Sequence, residues 1–239
     1  MTAPALRVSG LDAYYGTAHV LFDVQVAIEP GTNVALLGRN GAGKSTLLKS
    51  IAGADGVRRK GVVDYDGSEL TKLSAHKIAR HGVVLVPEDR RIFTSLTVQE
   101  NIALGGSASA PGRPALGFDA MADLFPLLRS LRERRGNELS GGEQQLVAIA
   151  RAVAGNPRLL LMDEPSAGLA PVILKNVIES VLVLRNKFDI TMLITEQNMD
   201  FALALCEHVI VIDGGHIMYA GTKEEFVGRA DISSRHLGI

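Results

Sequence analysis

A single cysteine, Cys206, stands among 239 residues. One thiol excludes a disulfide framework and any Cys-rich zinc module, and it fits a reducing compartment. Neither sign of charge is in excess: 25 Lys+Arg against 26 Asp+Glu leave a net charge of −1, whereas a dedicated nucleic-acid binder usually carries a clear basic surplus. No apolar run reaches the roughly 18 residues of a membrane span. The best one, Phe201 to Ile212, is interrupted by Glu207 and His208. The opening Met1-Thr2-Ala3-Pro4 lacks the basic and apolar regions of a signal peptide. The histidines show no H-x-x-x-H or H-E-x-x-H spacing, which speaks against a metal site built from protein ligands alone. These absences lead to the expectation of a soluble cytoplasmic protein.

What is present is ordinary in proportion: 46% apolar and 21% charged residues, the composition of a globular domain long enough to fold without staples. Leu6 to Leu11 and Val20 to Ile28 alternate as strands, with Tyr14-Tyr15-Gly16 expected to connect them. Asn33 to Leu37 reads as a buried strand, and Ser45 to Ala52 as a helix ended by Gly53. Val62 to Tyr65 should run into a hairpin-type turn at Asp66-Gly67. Ser74 opens a short helix stopped by Gly82, and Val83 to Val86 is a further strand. Strand signals then vanish, and two helix starts of capping-box spacing appear, Thr97 with Glu100 and Ser140 with Glu143. Alternation of strand and helix resumes with strands at Leu159 to Met162 and Ile190 to Thr195, and helices at Val172 to Lys187 and Met199 to Cys206. Val209 to Ile212 and His216 to Ala220 close the chain as a hairpin. The basic clusters Arg58-Arg59-Lys60 and Arg132 to Arg135 read as solvated loop and helix faces. The pattern is an α/β core interrupted by a helical insertion.

Gly38-Arg39-Asn40-Gly41-Ala42-Gly43-Lys44-Ser45 fits G-x-x-x-x-G-K-[ST] at every fixed position, between a buried strand and a helix start. Glycines let the backbone N–H groups turn inward as an anion nest at the positive end of the helix, which continues through Thr46. Lys44 adds a point charge for the β- and γ-phosphates of a nucleotide, and the Ser45 hydroxyl reaches Mg²⁺. Asp163 follows four apolar residues, as a strand-end carboxylate that holds the magnesium should. Glu164 points to the opposite face unless the strand ends there and the chain swings. Pro165 is expected to help by keeping Glu164 extended, so that Glu164 can orient and polarise the attacking water.

Two patterns point toward a GTPase, Asn186-Lys187-Phe188-Asp189 and Asp64-Tyr65-Asp66-Gly67. The first lies at a helix end before a strand rather than after one. The second follows Lys44 too closely, in a hairpin with no room for a switch region.

Leu139-Ser140-Gly141-Gly142-Glu143-Gln144-Gln145 offers a second bare, positive helix end on the same chain. It resembles the signature of ATP-binding-cassette (ABC) ATPases, and the resemblance extends over essentially the whole sequence. It implies a P-loop NTPase fold of α/β class: an ABC ATPase core, with a mixed sheet and an antiparallel β-subdomain, at 1–87 and 158–239. A helical subdomain carrying the signature is inserted at 88–157. It implies ATP and Mg²⁺ as ligands, Tyr15 as the aromatic that stacks on adenine, and Glu88 as a magnesium ligand where relatives usually carry glutamine. Gln197 falls at the position of the switch histidine, and Ala170 ends the D-loop where many relatives have Asp. Ser140, Gly141 and Gly142 are expected to close on the γ-phosphate held by a second ABC ATPase subunit, self or paralogue, in a head-to-tail dimer.

VPEDRRIF, EQN and DEPSAGLAP together are similar to the ATPases of bacterial branched-chain amino acid importers. That resemblance implies membrane permease subunits as partners and a periplasmic binding protein as an indirect one. It implies a peripheral place at the inner face of the cell membrane, and no nucleic acid. A soluble cassette ATPase acting on nucleic acid or ribosomes would usually carry two cassettes, a long coiled-coil insertion or a basic surface. An exporter-type cassette would be expected to keep Gln and His at positions 88 and 197.

Overall fold

The computed structural model describes residues 5–169 and 171–237. In chain order it forms β1 (Leu6–Tyr15), β2 (Ala18–Ile28), β3 (Asn33–Leu37), α1 (Lys44–Ala52), β4 (Arg58–Tyr65), β5 (Ser68–Glu69), α2 (Ala75–Arg80) and β6 (Val83–Val86). Helices dominate next: α3 (Val98–Gly106), α4 (Phe118–Leu124), α5 (Leu128–Leu131) and α6 (Gly141–Ala154). The chain then alternates through β7 (Leu159–Asp163), α7 (Pro171–Phe188), β8 (Thr191–Glu196), α8 (Met199–Leu205), β9 (His208–Asp213), β10 (His216–Thr222) and α9 (Lys223–Val227).

Two sheets organise these elements. One has the order β2-β1-β4-β5 and is antiparallel. The other has the order β10-β9-β3-β8-β7-β6, parallel except for the β9–β10 hairpin. Every residue of β3, β7 and β8 is buried, as expected of parallel strands covered on both faces. Successive residues divide between two cores. Ala35, Leu37, Leu160, Met162 and Ile194 pack toward the helical insertion. Val34, Leu36, Leu159, Leu161 and Leu193 pack toward α1 and the antiparallel sheet. The period of two thus bonds both layers to one central sheet.

In the helical insertion α3 crosses α6 at Gly105, where a Cβ would lie 1.9 Å from the Arg151 carbonyl oxygen. Only glycine lets the two backbones approach so closely. Both expected capping boxes are formed, Thr97 with Glu100 and Ser140 with Glu143.

The structure differs from the sequence reading in two places here. The expected connection Tyr14-Tyr15-Gly16 is mostly strand, because β1 runs through Tyr15 and pairs Tyr14 with His19. Their rings stack at 4.2 Å, and the Arg58 guanidinium lies 4.1 Å from the Tyr14 centroid. These cross-strand contacts prolong the hairpin. The cluster Arg58-Arg59-Lys60 is the start of β4 rather than a solvated loop. Arg59 turns inward and donates to the carbonyls of Leu70 (2.9 Å), Thr71 (3.0 Å) and Leu73 (3.0 Å), and to Ser50 near the end of α1. Burial lowers its pKa from the ordinary arginine value. The guanidinium fork satisfies carbonyls that periodicity alone leaves unassigned. The D-loop residue Ala170 lies outside the described residues.

Candidate nucleotide-binding and hydrolytic site

β3 delivers the chain at the middle of the parallel sheet into the glycine-rich loop. A Cβ on Gly38 would lie 2.4 Å from the Ile212 carbonyl oxygen of β9, so this first position tolerates no side chain and the loop packs down on the neighbouring strand. α1 begins at Lys44 with no side-chain cap and no acidic residue in its first turn. Its leading amides therefore keep their positive end for a ligand. Residues 40–46 form one wall of a cleft of about 440 Å³; Glu88, Glu164 and Gln197 stand across it, with Val20 at its edge.

Lys44 is buried, and its Nζ donates to the carbonyls of Gly38 (2.8 Å) and Arg39 (3.3 Å). The same nitrogen lies 3.3 Å from Glu164 Oε1. The Ser45 hydroxyl donates to Asp163 Oδ1 at 2.9 Å, and the Thr195 hydroxyl donates to the same oxygen at 2.8 Å. Asp163 is buried at the end of β7, beside Thr195 in the parallel register.

Glu164 does not keep the extended backbone expected from Pro165. Its φ is 47°, in the left-handed region. The Glu164 N–H donates to the Thr195 carbonyl (3.1 Å) and hydroxyl (3.0 Å), which hold this turn. The swing brings Glu164 into the cleft beside the buried Asp163, at a backbone cost of about 1–2 kcal/mol for a non-glycine residue. On the same side of the cleft Gln197 Nε2 donates to Glu164 Oε2 at 2.6 Å.

Two residues that the sequence reading did not select, Thr195 and Glu196, complete this arrangement. Thr195 bridges the two carboxylate positions. Glu196, only 1% exposed, accepts from Ser166 N (2.9 Å) and Ser166 Oγ (2.7 Å). Burial raises the Glu196 carboxyl above the usual carboxylate range, and the bonds from Ser166 and the Asn198 and Gln197 amides only partly offset this. The available signal was a Thr-Glu pair ending an otherwise apolar, fully buried strand, where polar groups need a reason to be present.

Gly38, Arg39 and Asp163 lie behind the cleft lining, and two further groups of expected site residues stand apart from it. Ser140, Gly141 and Gly142 do not line it. Ser140 caps α6, donating its N–H to Glu143 Oε2 (2.7 Å) and accepting from Glu143 N (3.3 Å). Burial alone would raise the Glu143 pKa, yet the Ser140 amide and hydroxyl and the Arg134 guanidinium hold it below the ordinary value. A Cβ on Gly141 would lie 3.0 Å from the Arg90 guanidinium. Tyr15 is 38% exposed and also lies off the cleft lining.

A phosphate loop between a central parallel strand and a helix, facing an Asp–Glu pair at the end of another strand, defines a P-loop nucleoside triphosphatase. Residues 21–167 match the ABC transporter family, and the chain belongs to it: it is an ATP-binding-cassette ATPase. The high-affinity branched-chain amino acid transport ATP-binding protein BraG of Pseudomonas aeruginosa is 39% identical over 98% of this chain and 99% of its own. The probable branched-chain amino acid transport ATP-binding protein LivF of Archaeoglobus fulgidus is 35% identical over 98% and 99%. The lipopolysaccharide export system ATP-binding protein LptB of Escherichia coli is 32% identical over 98% and 97%. Among solved structures, a nucleotide-free ATP-binding cassette from an ABC transporter superposes with a TM-score of 0.78 at 29% identity, covering 95% of this chain and 94% of its own. A cassette dimer in a post-hydrolysis state with ADP and Pi superposes at 0.79, with 25% identity over 91% and 98%.

Proposed function

We propose that this ATPase is the energy-supplying subunit of an importer for branched-chain amino acids or related small polar solutes, acting on a membrane permease. The contact of Glu164 with both Lys44 and Gln197 in one cleft carries the catalytic part of the reading. The end-to-end likeness to BraG and LivF supports the importer.

ATP lies with its phosphates on Gly38, Arg39, Asn40, Gly41, Ala42, Gly43, Lys44, Ser45 and Thr46, and its adenine on the exposed face of Tyr15. The phosphates compete with Glu164 for the charge of Lys44. Glu164 then orients the attacking water and takes its proton. Gln197, bonded to Glu164, keeps that carboxylate aimed and can donate to a γ-phosphate oxygen. The donor set fits Mg²⁺: Ser45 and Asp163 supply oxygens, Glu88 a third, and the buried Asp163 accepts from two hydroxyls on Oδ1. Magnesium takes its remaining ligands from phosphate and water. When bound, Mg²⁺ neutralises charge on the phosphates.

Ser140, Gly141 and Gly142 serve the γ-phosphate of the opposing subunit, in a head-to-tail dimer with self or a paralogue. In this reading 1–87 with 158–239 is the nucleotide-binding core, and 88–157 the helical subdomain. A groove of about 350 Å³ between β6, α3 and α6 exposes Phe93 and Leu104 and is floored by Ala148 and Ala152. It is a suitable seat for an apolar helix of the permease. Among the described residues no helix is long and apolar enough to cross a membrane. The protein is then peripheral, at the inner face of the cell membrane, with a periplasmic binding protein reached only through the permease. The net charge of −1 offers nothing to nucleic acid.

The test is co-expression with candidate permeases and a second cassette of a branched-chain amino acid importer from the same genome, followed by reconstitution in vesicles. Co-purification with those permeases, and hydrolysis stimulated by a binding protein loaded with leucine, isoleucine or valine, are expected. Co-purification with nucleic acid, or with a lipopolysaccharide-export permease, would overturn the importer reading.

A further inference from the structure

We propose that Glu196 is a positioning residue for hydrolysis: it ties the turn that follows Glu164 to the segment that carries Gln197. This rests on the reading of Glu164 as the group that activates water.

Glu196 is the last residue of β8, in register beside Leu37, the residue that leads into the phosphate loop. Its two carboxylate oxygens are used separately. Oε1 accepts from Ser166 N at 2.9 Å, and Oε2 accepts from Ser166 Oγ at 2.7 Å and from Asn198 N at 3.4 Å. Ser166 lies just past Glu164 and Pro165, and Gln197 directly follows Glu196. The Gln197–Glu164 hydrogen bond of 2.6 Å closes the circuit. Glu164, Ser166, Glu196 and Gln197 thus form a ring of backbone and hydrogen bonds around the left-handed φ of 47° at Glu164. A residue in that conformation persists only where its surroundings over-determine it.

Stability alone is a poor reason for a carboxylate here. A buried charge held by neutral donors is costly, and a shorter or apolar residue would end the strand without that cost. A carboxylate does one thing those replacements cannot: it accepts from both sides at once, so the Ser166 turn and the 197–198 segment keep one relative position. Glu196 does not line the nucleotide cleft, so its influence should fall on the chemical step rather than on nucleotide affinity.

The experiment measures steady-state hydrolysis of Mg-ATP by the assembled cassette dimer carrying Glu196→Ala, Glu196→Gln, Ser166→Ala or Glu164→Gln. Glu196→Ala should lower kcat by ~10², the scale of a misplaced reacting group, with KM for Mg-ATP unchanged within about twofold, as for an interaction made only in the transition state. Glu196→Gln should recover part of the rate, because its carbonyl still accepts from Ser166 N while Asn198 N loses its acceptor. Ser166→Ala should fall between the parent and Glu196→Ala. A parental kcat for Glu196→Ala would overturn the proposal. So would a raised KM at constant kcat, or a rate loss that merely follows the folded fraction in thermal melts. If Glu196→Ala does not fold, Glu196→Gln and Ser166→Ala carry the test, and parental kcat in both overturns it. Hydrolysis retained by Glu164→Gln removes the base reading instead. An inactive Glu164→Gln beside a parental Glu196→Ala removes the positioning role alone.

Discussion

The phosphate-loop cleft and the signature segment are both positive helix N-termini rich in glycine, but they are built differently. At the cleft the helix start is uncapped, and buried side chains converge on it from β7 and β8. At the signature, Ser140 and Glu143 cap each other, and the segment lies off the lining of the cleft that Glu164 enters. The first is a chemical site waiting for phosphates. The second is a capped, half-exposed edge, which the proposed dimer would set against the site of another molecule. The contrast teaches that like sequence signals, glycines before a helix, take opposite roles according to what the fold places opposite them.

The largest effect should come from breaking the cleft. Glu164→Gln is expected to leave ATP binding intact and to lower hydrolysis by at least ~10², the range for a positioned acid–base group, while accumulating an ATP-bound dimer on size exclusion. Near-parental turnover would take Glu164 out of the reaction. Ser140→Arg tests the other region. ATP affinity of the isolated monomer should stay at the parental value, while cooperative hydrolysis by the dimer is lost, at a capping cost of about 1 kcal/mol in stability. Loss of monomer binding would instead put Ser140 in its own chain's site.

The smallest effect sharpens the account of the capped edge. The Glu143 pKa is depressed in the folded chain, so its contribution is present above the unfolded value of about 4.3 and is lost as pH falls through the folded value. Glu143→Gln keeps a capping side chain but not the charge. It should cost about 0.5 kcal/mol at pH 7 in urea melts, and progressively less as pH falls through the folded value. A cost that does not change with pH would mean that charge contributes nothing to this cap.

Much of the cleft was legible because its signals are short-range. The loop from Gly38 to Ser45, the strand before it, the helix after it and both capping boxes depend on residues within a few positions of one another. Asp163 was legible as a carboxylate ending a buried run. Three features were not. Glu164 reaches the cleft through a left-handed backbone held by Thr195, a residue on another strand. Arg59 looks like a surface charge until α1 and the turn after β5 present it with carbonyls. Glu196 is one more acidic residue until Ser166 folds against it.

The sequence by itself determined the class of protein, since a nest of amides, a lysine and a hydroxyl at fixed spacing suffice to hold phosphates wherever a strand runs into a helix. It also determined that the chain carries two glycine-rich helix starts, at Lys44 and Gly141. Only the tertiary structure decided which side chains meet across the cleft. Parallel pairing of β7 with β8 brings Asp163 beside Thr195 and sets Glu164 against Lys44 and Gln197. Only the tertiary structure, likewise, keeps the signature segment away from that cleft. Contacts between residues remote in sequence depend on strand order and register, and no local pattern of residue types encodes these.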